Sequence, residues 1–356
     1  MLDLSDVSIK EYNELCTSLV EEQKLKPTIV QWQCTKECNY HCIHCGSDSG
    51  KAAPDELHSR EVLPVIDDLA DLGCQMFFLT GGEPLLREDV FEILDHAKDA
   101  GISQTGFATN GYAVEEYKDE IARIECASIM VSIDGYGKKH DQIRGVPGAY
   151  ERAVRAIDIL KKDIGVPWVG TCTVFREENL PEIPKILTDL LQRNFDYYRL
   201  NSVVPEGRAR GLSNPPSVIE KALRFALKKR KDEGIPLVMG ENLGFLGPLD
   251  EEVRGQPFFC GSGIGTLTIM ERGEIQGCNA SDFVHVNEGN IREKNVKDIW
   301  WNGFHQFRTG IWDTLAEQCL ECKYAVQCRG GCWKMRITNA QFCYLDIAEK
   351  IAEEML

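Results

Sequence analysis

The sequence predicts an α/β protein in which a partial (β/α)6 barrel is followed by a small cysteine-rich domain. Two observations carry this expectation. From Thr28 onward, six short apolar runs alternate with amphipathic helical patterns, the order that builds a parallel sheet with covering helices. Cys38, Cys42 and Cys45 follow the first run directly, and seven more cysteines crowd the C-terminal part of the chain.

Residues 1–27 read as a helix and a linker that ends at Pro27. The strand-like runs lie near 28–33, 75–80, 104–108, 128–132, 168–175 and 197–203. Helical patterns fall between them near 59–72, 87–100, 114–124, 149–162 and 179–193. In the first of these, Val62, Ile66, Leu69 and Leu72 recur at helical spacing and mark the face turned to the core. Eight strands close a TIM barrel. Six leave a TIM-like sheet open on one side, a mouth that suits a bulky substrate. The expected divisions are an N-terminal helix and linker (1–27), the barrel (28–210), a bridging segment (211–256) and a cysteine-rich domain ending in a helix (257–356). The bridge holds a helix near 216–233, a short apolar run at 236–239 and a glycine-rich turn at 240–247.

A chain of 356 residues with 43% apolar and 27% charged residues has the composition of an ordinary globular enzyme. Its net charge of −16 repels phosphate backbones and anionic lipid, so nucleic acid and membrane surfaces are not expected partners. The acidic, amphipathic start lacks the basic and apolar regions of a secretory signal, and no apolar run approaches the ~20 residues of a membrane helix. The expected location is the cytoplasm, where thiols stay reduced. Fifteen cysteines there point to metal or cluster binding rather than to disulfides.

Chemistry in such barrels collects at the C-terminal ends of the strands. Four polar or thiol-bearing loops fall there: the Cys38 loop, Thr80-Gly81-Gly82-Glu83-Pro84, Thr109-Asn110-Gly111, and Ser132-Ile133-Asp134-Gly135 with Arg144 beyond it. Each glycine-bearing loop taken alone is an ordinary tight turn; their convergence on one strand end is the signal. Four-iron clusters take one thiolate per iron, so three thiolates in one loop leave an iron open to a small chelating ligand. Taken alone, the same spacing also fits part of a zinc site.

The spacing Cys38-x3-Cys42-x2-Cys45 after a first strand, together with Gly81-Gly82-Glu83-Pro84, resembles the radical S-adenosylmethionine (SAM) superfamily over about residues 28–210. The resemblance implies that the first three cysteines hold a [4Fe-4S] cluster whose open iron chelates SAM. The backbone and carboxylate at Gly81, Gly82 and Glu83 would then hold the methionine ammonium. Ser132 and Arg144 would contact its carboxylate and ribose end, the backbone of Ile43 and His44 the adenine, and Asn110 would also belong to the cofactor site. His44 stands where the family usually has an aromatic residue. Arg208 and Arg210, just past the sixth strand, are candidates to meet an anionic substrate group, or are solvated surface arginines.

The later set runs Cys260, Cys278, Cys319-x2-Cys322-x5-Cys328-x3-Cys332 and Cys343, with Gly273 five residues before Cys278. One all-cysteine zinc site would use four of these seven and strand three. The full pattern resembles the SPASM extension of radical SAM enzymes, which binds two auxiliary [4Fe-4S] clusters. By that resemblance Cys319, Cys322, Cys328 and Cys343 complete an outer cluster, and Cys260, Cys278 and Cys332 bind an inner one. Residues 264–267 carry no eighth thiol, which leaves the inner cluster with an open iron or a ligand from elsewhere. Cys16, Cys34, Cys74, Cys126 and Cys172 lack partners at ligand spacing and read as small apolar residues.

The activity implied is reductive cleavage of SAM to a 5′-deoxyadenosyl radical that abstracts a substrate hydrogen, with the electron from a donor such as flavodoxin or ferredoxin. The leading substrate class is a ribosomal peptide or protein, to be crosslinked, oxidised or decarboxylated. Fewer than 30 residues precede the first strand, too few for a leader-binding domain, so a separate peptide-carrier protein is expected. Sulfatase-maturing relatives carry Asp after the inner-cluster cysteine; Asn279 stands there, which disfavours formylglycine formation and leaves Asp282 as the candidate base. The alternatives are a small-molecule dehydrogenase or decarboxylase acting on a sugar, aminocyclitol or tetrapyrrole, and a non-catalytic zinc or electron-transfer protein. Cys45-Gly46-Ser47 and Pro54-Asp55-Glu56-Leu57 resemble the peptide-cofactor and alternative-haem branches, which span the enzymatic options.

Overall fold

Seven parallel strands follow one another across the sheet, in a computed structural model that describes residues 4, 7–279, 286–338 and 343–355. They are β1 (Ile29–Thr35), β2 (Met76–Gly81), β3 (Gln104–Thr109), β4 (Ser128–Ser132), β5 (Trp168–Phe175), β6 (Tyr197–Ser202) and β7 (Leu237–Met239). On the far side of β1 the sheet continues through β8 (Thr266–Ile269), parallel to β1, and then through antiparallel β9 (Glu274–Gln276) and β10 (Gly289–Asn290). The architecture is the expected partial barrel, and β4 and β5 occupy the residues read as strands. The apolar run at 236–239 adds a seventh strand, because Leu237 and Met239 bury completely against the helical layer.

Strand residues alternate between two environments, as a pleated backbone requires. Val30, Trp32, Phe77, Leu79, Phe107, Ile129, Val131, Tyr198 and Leu200 are buried against the helices. The helix Ser59–Asp71 supplies Val62, Ile66 and Leu69 to the same core, the face its sequence spacing marked. Each such side chain contributes about 1.5–3 kcal/mol when fully buried. The opposite face, lining the barrel lumen, mixes polar residues (Gln33, Thr80, Ser132, Cys172, Arg199 and Asn201) with apolar ones (Phe78, Met130 and Val174). Ser132, Cys172 and Arg199 are register partners on adjacent strands and form one row of this wall. One row below, the Tyr197 ring lies so close over Gly170 that a Cβ there would meet it at 2.2 Å.

The N-terminal helix Ile9–Glu21 begins at a capping box between Ser8 and Glu11. Its Tyr12 and Cys16 pack with Ile311, Trp312 and Val326, which docks it on the C-terminal cysteine-rich region. Among the described residues, no helix is long and apolar enough to cross a membrane.

Candidate active site

The loop after β1 carries Cys38, Cys42 and Cys45 and is held from three sides. The Cys38 N–H donates to the Gly50 carbonyl at 3.0 Å, and the His41 and Ile43 N–H groups donate to the carbonyls of Arg144 and Ile143 at 3.2 and 3.0 Å. From the loop after β6, the Arg208 N–H reaches the Cys45 carbonyl at 2.9 Å. The Arg208 side chain donates to the Cys42 carbonyl at 2.9 Å, the Ser49 carbonyl at 2.7 Å and Asp48 Oδ1 at 2.8 Å. Burial pushes the Cys38 thiol up to about 11, and the neighbouring Cys42 and Cys45 add to the shift, so the three sulfurs sense one another. Donors converge on them: Arg144 Nη1 lies 3.5 Å from Cys42 Sγ, and the Ser49 N–H lies 3.5 Å from Cys45 Sγ.

These thiols open into a cavity of about 300 Å³. Its other walls come from His44 of the same loop and, at the ends of β2, β3 and β4 and beyond, from Gly81, Gly82, Asn110, Ser132 and Arg144. The glycines are required by a close approach of backbone. A Cβ on Gly81, at φ +130°, would fall 2.4 Å from the Thr35 carbonyl oxygen, and one on Gly82 would fall 1.9 Å from that of Glu37. Through this approach the Gly82 and Glu83 N–H groups donate to Thr35 and Glu37 at 2.7 and 2.8 Å, fastening β2 to the start of the cysteine loop.

Glu83 is fully buried behind this wall and does not line the cavity. Its carboxylate accepts from Thr109 Oγ1 at 2.8 Å, from the Asn110 N–H at 2.7 Å and from the Leu85 N–H at 3.3 Å. It thus ties the end of β2 to the end of β3. Burial raises its pKa to about 7 despite those donors.

Below the cavity, Asp134 Oδ2 lies 2.5 Å from Arg144 Nη2 and 3.2 Å from His44 Nε2. Its Oδ1 accepts from the Val174 N–H at 2.7 Å, and its own N–H donates to His140 Nδ1 at 3.0 Å. Burial opposes ionisation of Asp134, yet Arg144 and His44 outweigh it and hold the carboxyl well below its usual range. Burial lowers His140 to about 4, which keeps that ring neutral as an acceptor. Asp134 therefore aims both His44 and Arg144, two residues of the expected SAM site.

The remaining seven cysteines fall into two sets. Burial raises Cys332 to about 12, with Cys260 and Cys278 adding to it. Burial likewise raises Cys328 to about 12, with Cys343 and Cys322 adding, and Cys319 senses Cys343 and Cys322. The thiols thus assort as 38/42/45, 260/278/332 and 319/322/328/343. All fifteen cysteines are unbridged. Among the described residues no three His, Cys, Asp or Glu side chains are arranged to hold one metal ion. Cations lie beside them, Lys334 at Cys278 and Arg336 near Cys260, Cys328, Cys319 and Cys332, as an anionic cluster requires.

The structure therefore brings His44, Gly81, Gly82, Asn110, Ser132, Arg144 and Arg208 to one cavity with the first three cysteines. Arg208, a candidate to meet an anionic substrate group or else a surface arginine, spends its donors on the cysteine loop. Asp282 lies outside the described residues. Sequence reasoning assigned no role to Asp134, Arg199, Glu206 or Lys334. Asp134 carried a signal, a carboxylate two residues past a strand end, but its partners came only with the fold.

Thiols at the mouth of an open parallel barrel, a cavity floored by glycine backbone and a second cysteine-rich unit define an iron–sulfur enzyme built to bind a small cofactor at the first strand ends. The family model described as the radical SAM superfamily matches residues 32–190, and SPASM, an iron–sulfur cluster-binding domain, matches residues 260–323. The AdoMet-dependent heme synthase of Methanosarcina barkeri is 30% identical over 85% of this chain and 90% of its own length. The mycofactocin maturase MftC of Mycobacterium tuberculosis is 28% identical over 86% of this chain and 78% of its own length. In fold, the chain is similar to Streptococcus suis SuiB bound to its precursor peptide SuiA, with a TM-score of 0.71 at 15% identity over 93% of this chain and 78% of that one. The chain belongs to the radical SAM superfamily and carries its SPASM domain.

Proposed function

We propose that this radical SAM enzyme abstracts a hydrogen from a substrate seated in the barrel lumen, with a ribosomal peptide or protein as the leading class and crosslinking, oxidation or decarboxylation as the outcome. The observation that carries the reading is the polar wall that runs from Ser132, at the cavity, through Cys172 to Arg199. Arg199 Nε is buried without a hydrogen-bond partner, and its nearest carboxylate, Glu241 Oε2, lies 3.5 Å from Nη1. A substrate carboxylate or other anionic group would complete that guanidinium. This moves the anion-binding role expected of Arg208 to Arg199.

The three cysteine sets would hold three [4Fe-4S] clusters, and SAM would occupy the cavity. When bound, the first cluster and SAM supply the 5′-deoxyadenosyl radical. The chain's own part is to hold the cysteine loop through Arg208, to aim Arg144 and His44 through Asp134, and to keep β2 against the loop through Gly81 and Gly82. An external reductant such as flavodoxin or ferredoxin would deliver the electron, in the reducing cytoplasm where unbridged thiols persist.

A tetrapyrrole with carboxylate side chains is the second reading, favoured by the similarity to the heme synthase. Anaerobic turnover with SAM and dithionite decides between them. One arm offers a peptide encoded by a short reading frame beside the gene, the other an iron porphyrin bearing carboxylates. The expected result is 5′-deoxyadenosine in step with a mass change in the peptide; a mass change in the porphyrin alone replaces the lead with the second reading. Protein that binds zinc without sulfide ends both.

A further inference from the structure

The first cysteine loop and the inner auxiliary set meet across one charge pair, buried at its carboxylate end and partly exposed at its ammonium. Glu206, in the loop after β6, is completely buried, and Lys334 Nζ lies 2.5 Å from its Oε2. On one side the pair touches the first cysteine loop. A Cβ on Gly46 would sit 3.5 Å from Glu206 Oε2, and one on Gly207 would meet the Gly46 and Cys45 carbonyl oxygens at 2.4 and 2.6 Å. On the other side lies the inner set. Lys334 follows Cys332 by two residues on the short helix Trp333–Ile337, its backbone N–H is directed at the Cys332 sulfur, and its ammonium lies beside Cys278.

Stability does not account for such a pair. Two charges taken out of water lose several kcal/mol of hydration each, and apolar residues of the same volume commonly stabilise a fold as well or better. What a fixed ammonium does beside a thiolate cluster is different. Each electron a cluster accepts adds one negative charge, and a nearby cation that water screens only in part stabilises the reduced form.

We propose that Lys334 and Glu206 set the reduction potential of the cluster held by Cys260, Cys278 and Cys332, with the ammonium raising it and the carboxylate moderating it. The proposal rests on the reading that these cysteines hold an iron–sulfur cluster. It makes the inner cluster more electron-accepting than its thiolates alone would, and it makes Lys334 a positioning residue that acts through charge rather than by contact with substrate.

The test is a redox titration of the full chain, reconstituted anaerobically and followed by electron paramagnetic resonance, with the inner signal assigned by its loss in Cys278→Ala. At the potential where the wild-type inner cluster is half reduced, Lys334→Gln lowers its reduced-to-oxidised ratio about tenfold, equivalent to about 59 mV for one electron. Glu206→Gln shifts the ratio the other way, and Lys334→Arg stays near wild type. The titration of the cluster at Cys319, Cys322, Cys328 and Cys343 does not move. Coincident curves, shifts of the same sign in Lys334→Gln and Glu206→Gln, or an equal shift of the outer cluster overturn the proposal. If Lys334→Gln fails to hold the inner cluster, the sign of the Glu206→Gln shift decides alone. Protein that never binds iron and sulfide removes the proposed function as well, whereas loaded clusters with unmoved potentials remove only the role of this pair.

Discussion

Arg144 Nη2 and Asp134 Oδ2 stand 2.5 Å apart in a pair whose carboxylate is wholly buried, with His44 on the other side at 3.2 Å. Removing one partner of a buried pair leaves an uncompensated charge and costs about 3–5 kcal/mol. Asp134→Asn keeps the side-chain shape and removes only the charge, so it isolates this effect. The expected outcome is a lower thermal midpoint together with SAM affinity weakened about tenfold or more, because Arg144 and His44 lose their aim. Equilibrium dialysis with SAM and a thermal melt check it. The pH dependence has a definite sign. A carboxyl held below its usual range adds stability that is present above the unfolded-state pKa and disappears as acid protonates the folded form. Wild type should lose this increment on acidification, and Asp134→Asn should lack it.

Arg208 joins the loop after β6 to the first cysteine loop through the carbonyls of Cys42 and Ser49 and the carboxylate of Asp48. Its substitution therefore acts on cluster retention before it acts on substrate. In Arg208→Gln the first cluster is expected to yield iron to a chelator several times faster than in wild type, while the auxiliary clusters release theirs at the original rate. Timed chelation with visible absorbance separates the phases. Uniform release from all sites would show that the arginine is not a clamp on this loop.

Much of this arrangement was legible because its signals are local. Cys38, Cys42 and Cys45 lie within one loop, and Gly81-Gly82 marks a backbone approach that the contact with Thr35 and Glu37 explains. The strands β4 and β5 have the bounds their alternation predicts. What was not legible depends on register between distant segments. Asp134 meets Arg144 and His44 only once the loops after β1 and β4 share a strand end, and Lys334 meets Glu206 across more than a hundred residues of chain. Arg199 looked like one charge in a strand, and its place in the lumen follows from pairing β6 with β5. The run that forms β7 was read but not counted as a strand, and β8 was missed, because three or four residues give too little alternation to count.

Glu83 supplies a pH test that runs opposite to Asp134. Burial raises its carboxyl from 4.5 to about 7, so the folded chain holds a proton that the unfolded chain has already released. Between about pH 4.5 and 7 the native state binds more protons, and stability from this group falls as pH rises, by on the order of 3 kcal/mol in full. Urea unfolding of metal-free protein at pH 5 and pH 7 should show that fall. In Glu83→Gln the slope should be reduced by this amount. Equal slopes in the two proteins would mean that the carboxyl already ionises freely among Thr109, Asn110 and Leu85.

The lumen wall makes the last prediction specific to substrate. Arg199 shares a strand row with Cys172 and Ser132, yet it does not line the cofactor cavity, so its charge bears on whatever sits elsewhere along the lumen wall. Arg199→Gln should leave substrate-free cleavage of SAM to 5′-deoxyadenosine unchanged, because the cysteine loop, Arg144 and the glycine wall are untouched. For an anionic substrate the KM should rise at least about tenfold, since an unpaired buried group costs roughly 1–3 kcal/mol. Arg199→Lys should recover only part of it, because an ammonium keeps the charge but loses the planar fork that grips a carboxylate at two points. A substrate analogue with the carboxylate replaced by an amide should show the same high KM in wild type and gain nothing from the arginine. If KM is unchanged in Arg199→Gln while turnover falls, the residue orients the wall instead of holding the substrate, and the anionic group must be met elsewhere.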